Sequence, residues 1–266
     1  MKLLEGITKK LNAEYRKYKK EEEAYFFRIT TEIGSKKELA EAFMTARSAV
    51  NFRSISLLSG RRGLQSGDSL TSSLLDNVNF HHPLELGAMT PDVSFWNSLS
   101  TPILKKFDKE YYNQHYNVSV SQIDSRASDP ILCFNFEKKE NLPPVTLLTG
   151  KLYVDAKTLK LLRFEGKIPS LGMQVTNQRV DGLTIVDLQV IADYTHEDGY
   201  AKVSNISTTV FNEGFNCHAL LYRMDTLSIA TKGKKKVKEN LLKTIDKVGD
   251  DSQLWVNPNI VLRTGK

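Results

Sequence analysis

Two periods of apolar residues divide the chain. Leu3, Leu4, Ile7, Leu11, Tyr15 and Tyr18 recur at intervals of three and four. That spacing puts them on one face of an amphipathic helix of roughly 20 residues. The charge block Lys19-Lys20-Glu21-Glu22-Glu23 ends this helix in solvent. The period then changes to two. AYFFRITTEI (24–33) is aromatic and β-branched and predicts a strand, as does the alternating NFRSISLLSG (51–60). KELAEAFMTARSAV (37–50) is ambiguous, because its alanines and glutamates favour helix by propensity. SGRRGLQSGDSLTSS (59–73) has no regular apolar period and predicts a loop.

Pro83, Pro91 and Pro102 break the segment 74–112, where short helices or turns anchored by Phe95, Trp96, Ile103, Leu104 and Phe107 are expected. From Tyr116 the alternation returns and persists. NVSVSQID, PILCFNFEKK, VTLLTGKLYVD, LKLLRFEGKI, MQVTNQRV, LTIVDLQVIADYT, YAKVSNISTTVF and CHALLYRMDTLSIA follow one another with turn residues between them. Asp198-Gly199, between two long alternating runs, is the tightest hairpin signal. No helix-length segment separates consecutive runs, so the connections are hairpins and the sheet is antiparallel. The expectation is a meander of about eight strands with two or three more from the N-terminal part. TKGKKKVKENLLKTIDKVGDD (231–251) reads as a lysine-rich linker holding an amphipathic turn or two through Val237, Leu241 and Ile245. LWVNPNIVLRT then forms an apolar clip able to dock back on the body.

One long helix cannot cover both faces of such a sheet. The sheet must curl round its helix as a half-barrel or fold into a sandwich. The curled form leaves an apolar concavity, which either packs solid with side chains or admits an apolar ligand.

Composition narrows the chemistry. The 266 residues carry 40% apolar and 26% charged side chains, ordinary globular values that allow one large β-rich domain or two smaller ones. A net charge of +6 spread over 30.1 kDa reads as solubility rather than nucleic-acid affinity. No apolar run approaches the roughly 20 residues of a membrane-spanning helix. No signal peptide is evident, and a helical period that starts without a cap suggests a chain cut from a longer precursor.

Cys133 and Cys217 lie in apolar strand-like runs and read as small buried hydrophobes, with a single bridge left open. His81-His82 lack acidic or thiol partners at ligand spacing and read as a surface turn before Pro83. His115, His196 and His218 are isolated in sequence. GRRGLQSGDS lacks the GxxxxGK[ST] pattern of a phosphate loop. Lys232, Lys234, Lys235, Lys236 and Lys238 have no interleaved aromatics to stack bases, which argues against nucleic acid and favours a solvated linker over an anionic membrane surface. Asp193/Asp198 and Asp250/Asp251 fall at turns, where Asp serves the backbone.

The hairpin GKLYVDAKTLKLLRFEGKI resembles the G-x-(L/V)-(Y/W)-(I/V)-D-x-x-(T/S)-(L/Y)-x-(I/L) hairpin of outer-membrane lipoprotein-sorting, or lipoprotein-carrier, proteins. Further landmarks occur in order: AYFFR, ELAEAF with Glu41-Ala42, FRSISLLSGRRG, YNVSVSQID before ILCFNFEKK, and LWVNPNIV. Together they are similar to the C-terminal domain of an envelope-associated family of certain Gram-negative bacteria, named for the carboxypeptidase-like regulatory domain that precedes it. Ile29 stands where that family has Glu after the arginine, and Leu254 where Phe precedes Trp255. The resemblance turns 37–47 from helix to strand.

The implied fold is α+β: a strongly curved antiparallel half-barrel over 1–230, with an N-terminal helix (1–23) and a helical or loop insertion (74–112) over its concave side. Residues 231–266 would form the linker and clip. The implied role is non-enzymatic, in the periplasm or at the outer membrane, holding a lipid or the acyl group of a lipidated protein against Leu152, Val154, Leu162 and Phe164, with Trp96 near the mouth. No cofactor or metal is expected. A second reading is a structural module with a filled core that docks an envelope protein. A third is a hydrolase, which requires a Ser or Cys within about 3 Å of a histidine.

Overall fold

The computed structural model describes residues 2–18, 21–34, 36–47, 53–65, 109–123, 130–140, 149–177, 180–196, 199–224, 234–237, 241–249 and 255, with backbone only over 170–186. Three helices are described: α1 (Lys2–Tyr18), α2 (Lys109–His115) and α3 (Leu241–Val248). The strands are β1 (Glu22–Ile33), β2 (Lys36–Arg47), β3 (Arg53–Gln65), β4 (Tyr116–Ile123), β5 (Ile131–Lys138), β6 (Thr149–Asp155), β7 (Leu161–Asn177), β8 (Val180–Thr195), β9 (Lys202–Asn212), β10 (Phe215–Arg223) and β11 (Lys235–Lys236).

They form one antiparallel sheet in the order β11-β3-β2-β1-β10-β9-β8-β7-β6-β5-β4, which does not close on itself. Laid flat, eleven strands span about 50 Å, whereas α1, with its 17 residues, reaches only about 25 Å. Yet Leu4, Ile7 and Leu11 of α1 share one contiguous core with residues from β3 at one end to β5 near the other. The sheet achieves this by curling toward the helix.

Three expectations change in the structure. Residues 59–65 are strand, not loop, because Ser59–Gln65 pair with β2 from Phe43 back to Lys37. The missing apolar period has a cause: Arg61 and Arg62 replace apolar residues and find acidic partners on opposite faces. LKLLRFEGKI and MQVTNQRV, which read as two strands, are mostly one. Pro169 interrupts the ladder, since it has no N–H to donate, and the β7–β8 pairing resumes at Leu171 after a register shift. The lysine-rich segment is also partly sheet. Lys235 and Lys236 pair with Leu57 and Ser56, and the Val237 amide donates to the Ile55 carbonyl at 2.9 Å.

The ambiguous 37–47 segment is strand β2, as the resemblance implies. β-Pairing on both sides outweighs its alanine content. Gly199, at φ 81°, forms the β8–β9 turn where the Asp-Gly signal stands. Within 74–112 the structure describes one helical piece, α2, while Phe95, Trp96, Ile103, Leu104 and Phe107 lie outside the described residues.

The end of the sheet at β3 is capped by α3. Ile245 is 1% exposed and sits on Gly60, where a Cβ would lie 2.9 Å from the Ile245 Cγ2. The Gly60 amide donates to the Gly249 carbonyl at 3.0 Å, and Arg62 bridges Glu38 of β2 to Asp246 of α3 at 2.6 and 2.7 Å. Gly60→Ala is therefore expected to destabilise the fold by about 1–3 kcal/mol through overpacking. In urea denaturation, Ile245→Ala should cost about 2–4 kcal/mol alone and less than additively with Gly60→Ala.

Candidate functional site: the concave face of the sheet

Alternation gives every strand one residue set facing the helices and one facing away. On the concave side the cross-strand registers line up Val120, Phe134, Leu152, Phe164, Ala192, Ile206, Leu221, Phe27 and Ala42, ending at Gly60. That is an uninterrupted apolar row across ten strands. A parallel row runs Val118, Phe136, Gly150, Gly166, Val190, Thr208, Ala219, Ile29 and Ala40. At its middle the two glycines leave the face without side chains. Gly150 is obligatory there, since a Cβ would lie 2.0 Å from the Glu165 carbonyl oxygen.

The hairpin GKLYVDAKTLKLLRFEGKI is β6 and β7, closed by a turn in which the Asp155 carboxylate accepts from the Thr158 amide at 2.6 Å and its hydroxyl at 2.7 Å. These bonds hold the Asp155 carboxyl below its ordinary value. The turn also meets the helix, where the Lys10 ammonium donates to the Thr158 carbonyl.

Of the expected ligand-contact residues, Leu152, Val154 and Phe164 lie on the concave face at 1%, 0% and 5% exposure. Leu162 is half-buried and does not join this row. A register shift after Tyr153 pairs Val154 with Leu161, so Leu161 takes the inward position, at 3% exposure. Strict alternation counted back from Phe164 misassigned this pair, and a bulge leaves no mark in the apolar pattern. Trp96 lies outside the described residues.

Two described clefts lie elsewhere. One, of about 480 Å³, runs over the Gly150–Gly166 backbone between Lys151, Lys167, Glu137 and Gln189. The other, of about 330 Å³, lies between α2 and β4 beside Tyr116, Glu137 and Lys139. Neither is lined by Leu152, Val154 or Phe164.

The opposite face holds a cluster that residue-by-residue reading missed. Glu41, whose side chain is 1% exposed, accepts from the Arg28 Nε at 2.6 Å on one oxygen and from the Arg61 Nε at 2.7 Å on the other. Arg61 stacks 3.9 Å over the Trp255 ring. Trp255 packs 4.6 Å from Phe43 and donates its indole N–H to the Ser59 hydroxyl at 2.9 Å. Arg28 of AYFFR, Glu41 of ELAEAF, Arg61 of SGRRG and Trp255, from four landmark segments of the resemblance, thus converge on one spot. The available signal was the pair of glutamates three apart in a strand, which must face opposite sides, with the adjacent arginines able to serve one each.

The Ser207 hydroxyl lies 3.0 Å from the His218 Nε2 across β9 and β10, which meets the distance set for a hydrolase. Burial lowers the His218 pKa, and no acidic group contributes to that shift. Both neighbours of β9 are paired strands, so its amides are committed to ladders and offer no oxyanion hole. The arrangement is a cross-strand hydrogen bond. Cys133 and Cys217 are buried free thiols on opposite faces of the sheet. Burial pushes the Cys217 thiol up to about 11. Among the described residues no three His, Cys, Asp or Glu side chains gather as metal ligands.

Glu41→Gln should lower stability by about 2–3 kcal/mol in urea denaturation, because both arginines lose their charged acceptor. Burial also lowers the pKa of His196. With His196 and His218 both depressed, the native state binds fewer protons than the unfolded chain below about pH 6.5. Their stabilisation is present above that pH and is lost as pH falls through the folded values. His218→Gln should flatten that part of the stability–pH curve in chemical denaturation between pH 5 and 7.

No family model matches the chain, and no curated protein matches it. Among solved structures, similarity is found to a LolA superfamily protein from Nitrosomonas europaea, with 9% identity, TM-score 0.27, 92% of this chain and 98% of that one covered. A DUF1329 family protein from Desulfovibrio piger has 13% identity and a TM-score of 0.30, over 85% and 94% of the two chains. An outer-membrane lipoprotein-sorting protein domain from Vibrio parahaemolyticus has 8% identity and a TM-score of 0.27, over 84% and 95%. None of these comparisons bears out the resemblance to the family named for its regulatory domain.

Proposed function

We propose that this chain is a non-enzymatic cell-envelope protein whose concave face holds an apolar ligand, a lipid or the acyl group of a lipidated partner. The supporting observation is the apolar row from Val120 to Ala42, which is longer than one helix covers. Leu152, Val154 and Phe164 are the proposed contacts, with Leu161 in the inward place that alternation gives Leu162 and Trp96 near the mouth. The ligand-holding unit is the half-barrel of 1–230, and 231–266 is the segment that clips onto it.

A specific observation favours a second reading. Leu152, Val154 and Phe164 are already buried to 5% exposure or less. A core filled by the protein's own side chains would make the chain a structural or protein-interaction module of an envelope assembly.

Native mass spectrometry of the protein purified from its own membrane fraction separates the two. Retained lipid, lost in Leu152→Ser while circular dichroism and cooperative unfolding persist, is the result expected of the carrier reading. Protein without lipid, and no uptake of a fluorescent fatty acid at micromolar concentration, assigns the filled-core module instead.

A further inference from the structure

The two ends of the sheet are finished differently. At β3 the edge is paired by β11 and capped by α3. At the other end β4 has β5 as its strand neighbour among the described residues. Natural sheets blunt such edges with charges, Pro, Gly or a bulge. YNVSVSQI contains no charged residue, no Pro and no Gly. It pairs with β5 over eight consecutive residues, from Tyr116 with Lys138 to Ile123 with Ile131, without a register shift. Two of the large apolar residues most exposed among the described residues lie on it, Val120 at 49% and Ile123 at 41%. A bulge-free, uncharged edge of eight residues with exposed apolar side chains is built to accept another strand.

We infer that β4 pairs antiparallel with β4 of a second copy of this chain. The pattern is self-complementary about Ser119. A two-fold axis there sets Val118 opposite the Val120 of the other copy, Asn117 opposite Ser121 and Ser119 opposite itself. Equivalent positions then share a face, so valine meets valine on the concave side and small polar residues meet on the other. The concave row that begins at Val120 and runs through Phe134 and Leu152 continues into the second molecule at Val118. A charge on the strand would occur twice across the axis, and none is present. A contact of one strand pair falls in the small-interface class, so association is weak and concentration-dependent. This pairing does not depend on what the concave face holds.

Sedimentation velocity of the whole chain from about 1 µM to about 500 µM tests it by mass action. The wild type is expected to pass from monomer to dimer. Val120→Lys, at an exposed position that leaves the β5 ladder intact, is expected to raise the dissociation constant at least about tenfold. Mixing Val120→Lys with Val118→Glu is expected to restore a heterodimer that neither variant forms alone, since these positions face each other in the proposed register. Matching unfolding curves for the variants and the wild type show that folding is intact. A wild type that stays monomeric throughout overturns the inference. So does a dimer indifferent to Val120→Lys, or amide-exchange protection of 116–123 that does not change with concentration.

Discussion

The described fold follows from one shortage: among the described residues, a very wide sheet has one apolar face and one long helix against it. Each large side chain on that face is worth about 1.5–3 kcal/mol if taken out of water. A flat sheet would leave most of them wet, because α1 reaches only some of the strands. Curling brings Phe134, Leu152 and Phe164 from one half within reach of the core that holds Phe27, Met44 and Leu57 from the other. The N-terminal stripe of Leu4, Ile7 and Leu11 serves as the axis of that curl. Polar contacts then pin the helix along the rim: Glu14 accepts from the Ala201 amide at 3.1 Å, and Tyr18 stacks on Tyr200 at 4.0 Å.

The β1–β3 end uses charge where the rest of the sheet uses apolar packing. β2 carries Glu41 to the convex face and Glu38 to the concave one, and β3 answers with Arg61 and Arg62. Burying either carboxylate alone would be costly, so each is matched by hydrogen-bonded arginine. The pairs also settle which side each C-terminal piece docks on. Arg62 ties α3 to the concave face, and Arg61 stacks with Trp255 on the convex face. Residues separated by almost the whole sequence, Phe26 and Trp255, come within 6.4 Å by this route.

The hairpin at the centre of the chain shows how much can be read and where reading stops. Its two strands, its turn at Asp155 and the inward Leu152, Val154 and Phe164 are all visible as alternation broken by polar residues. The inward role of Leu161 is not, because a bulge inserts one residue without changing residue types. The GRRG strand was hidden for a different reason. Its arginines look like loop residues until Glu38 and Glu41 are placed beside them, and that adjacency exists only after β2 and β3 pair. Lysines 235 and 236 likewise read as solvated chain until the β3 edge is there to receive their backbone. The concave face was foreseeable as a consequence of too few helices. Whether side chains or a ligand fill it depends on packing volume, which no periodicity encodes.

By itself the sequence determined the period of each segment, hence one amphipathic helix, antiparallel strands with one dry face and polar turns between them. Those properties are local: they depend on side-chain spacing along a single element and on turn chemistry within a few residues. Only the tertiary structure decided the strand order, in which β1 lies beside β10, the bulges that reset which leucine faces inward, and the partners of the buried charges. Each of these joins residues far apart in the chain, and its energy exists only once both sides are in place.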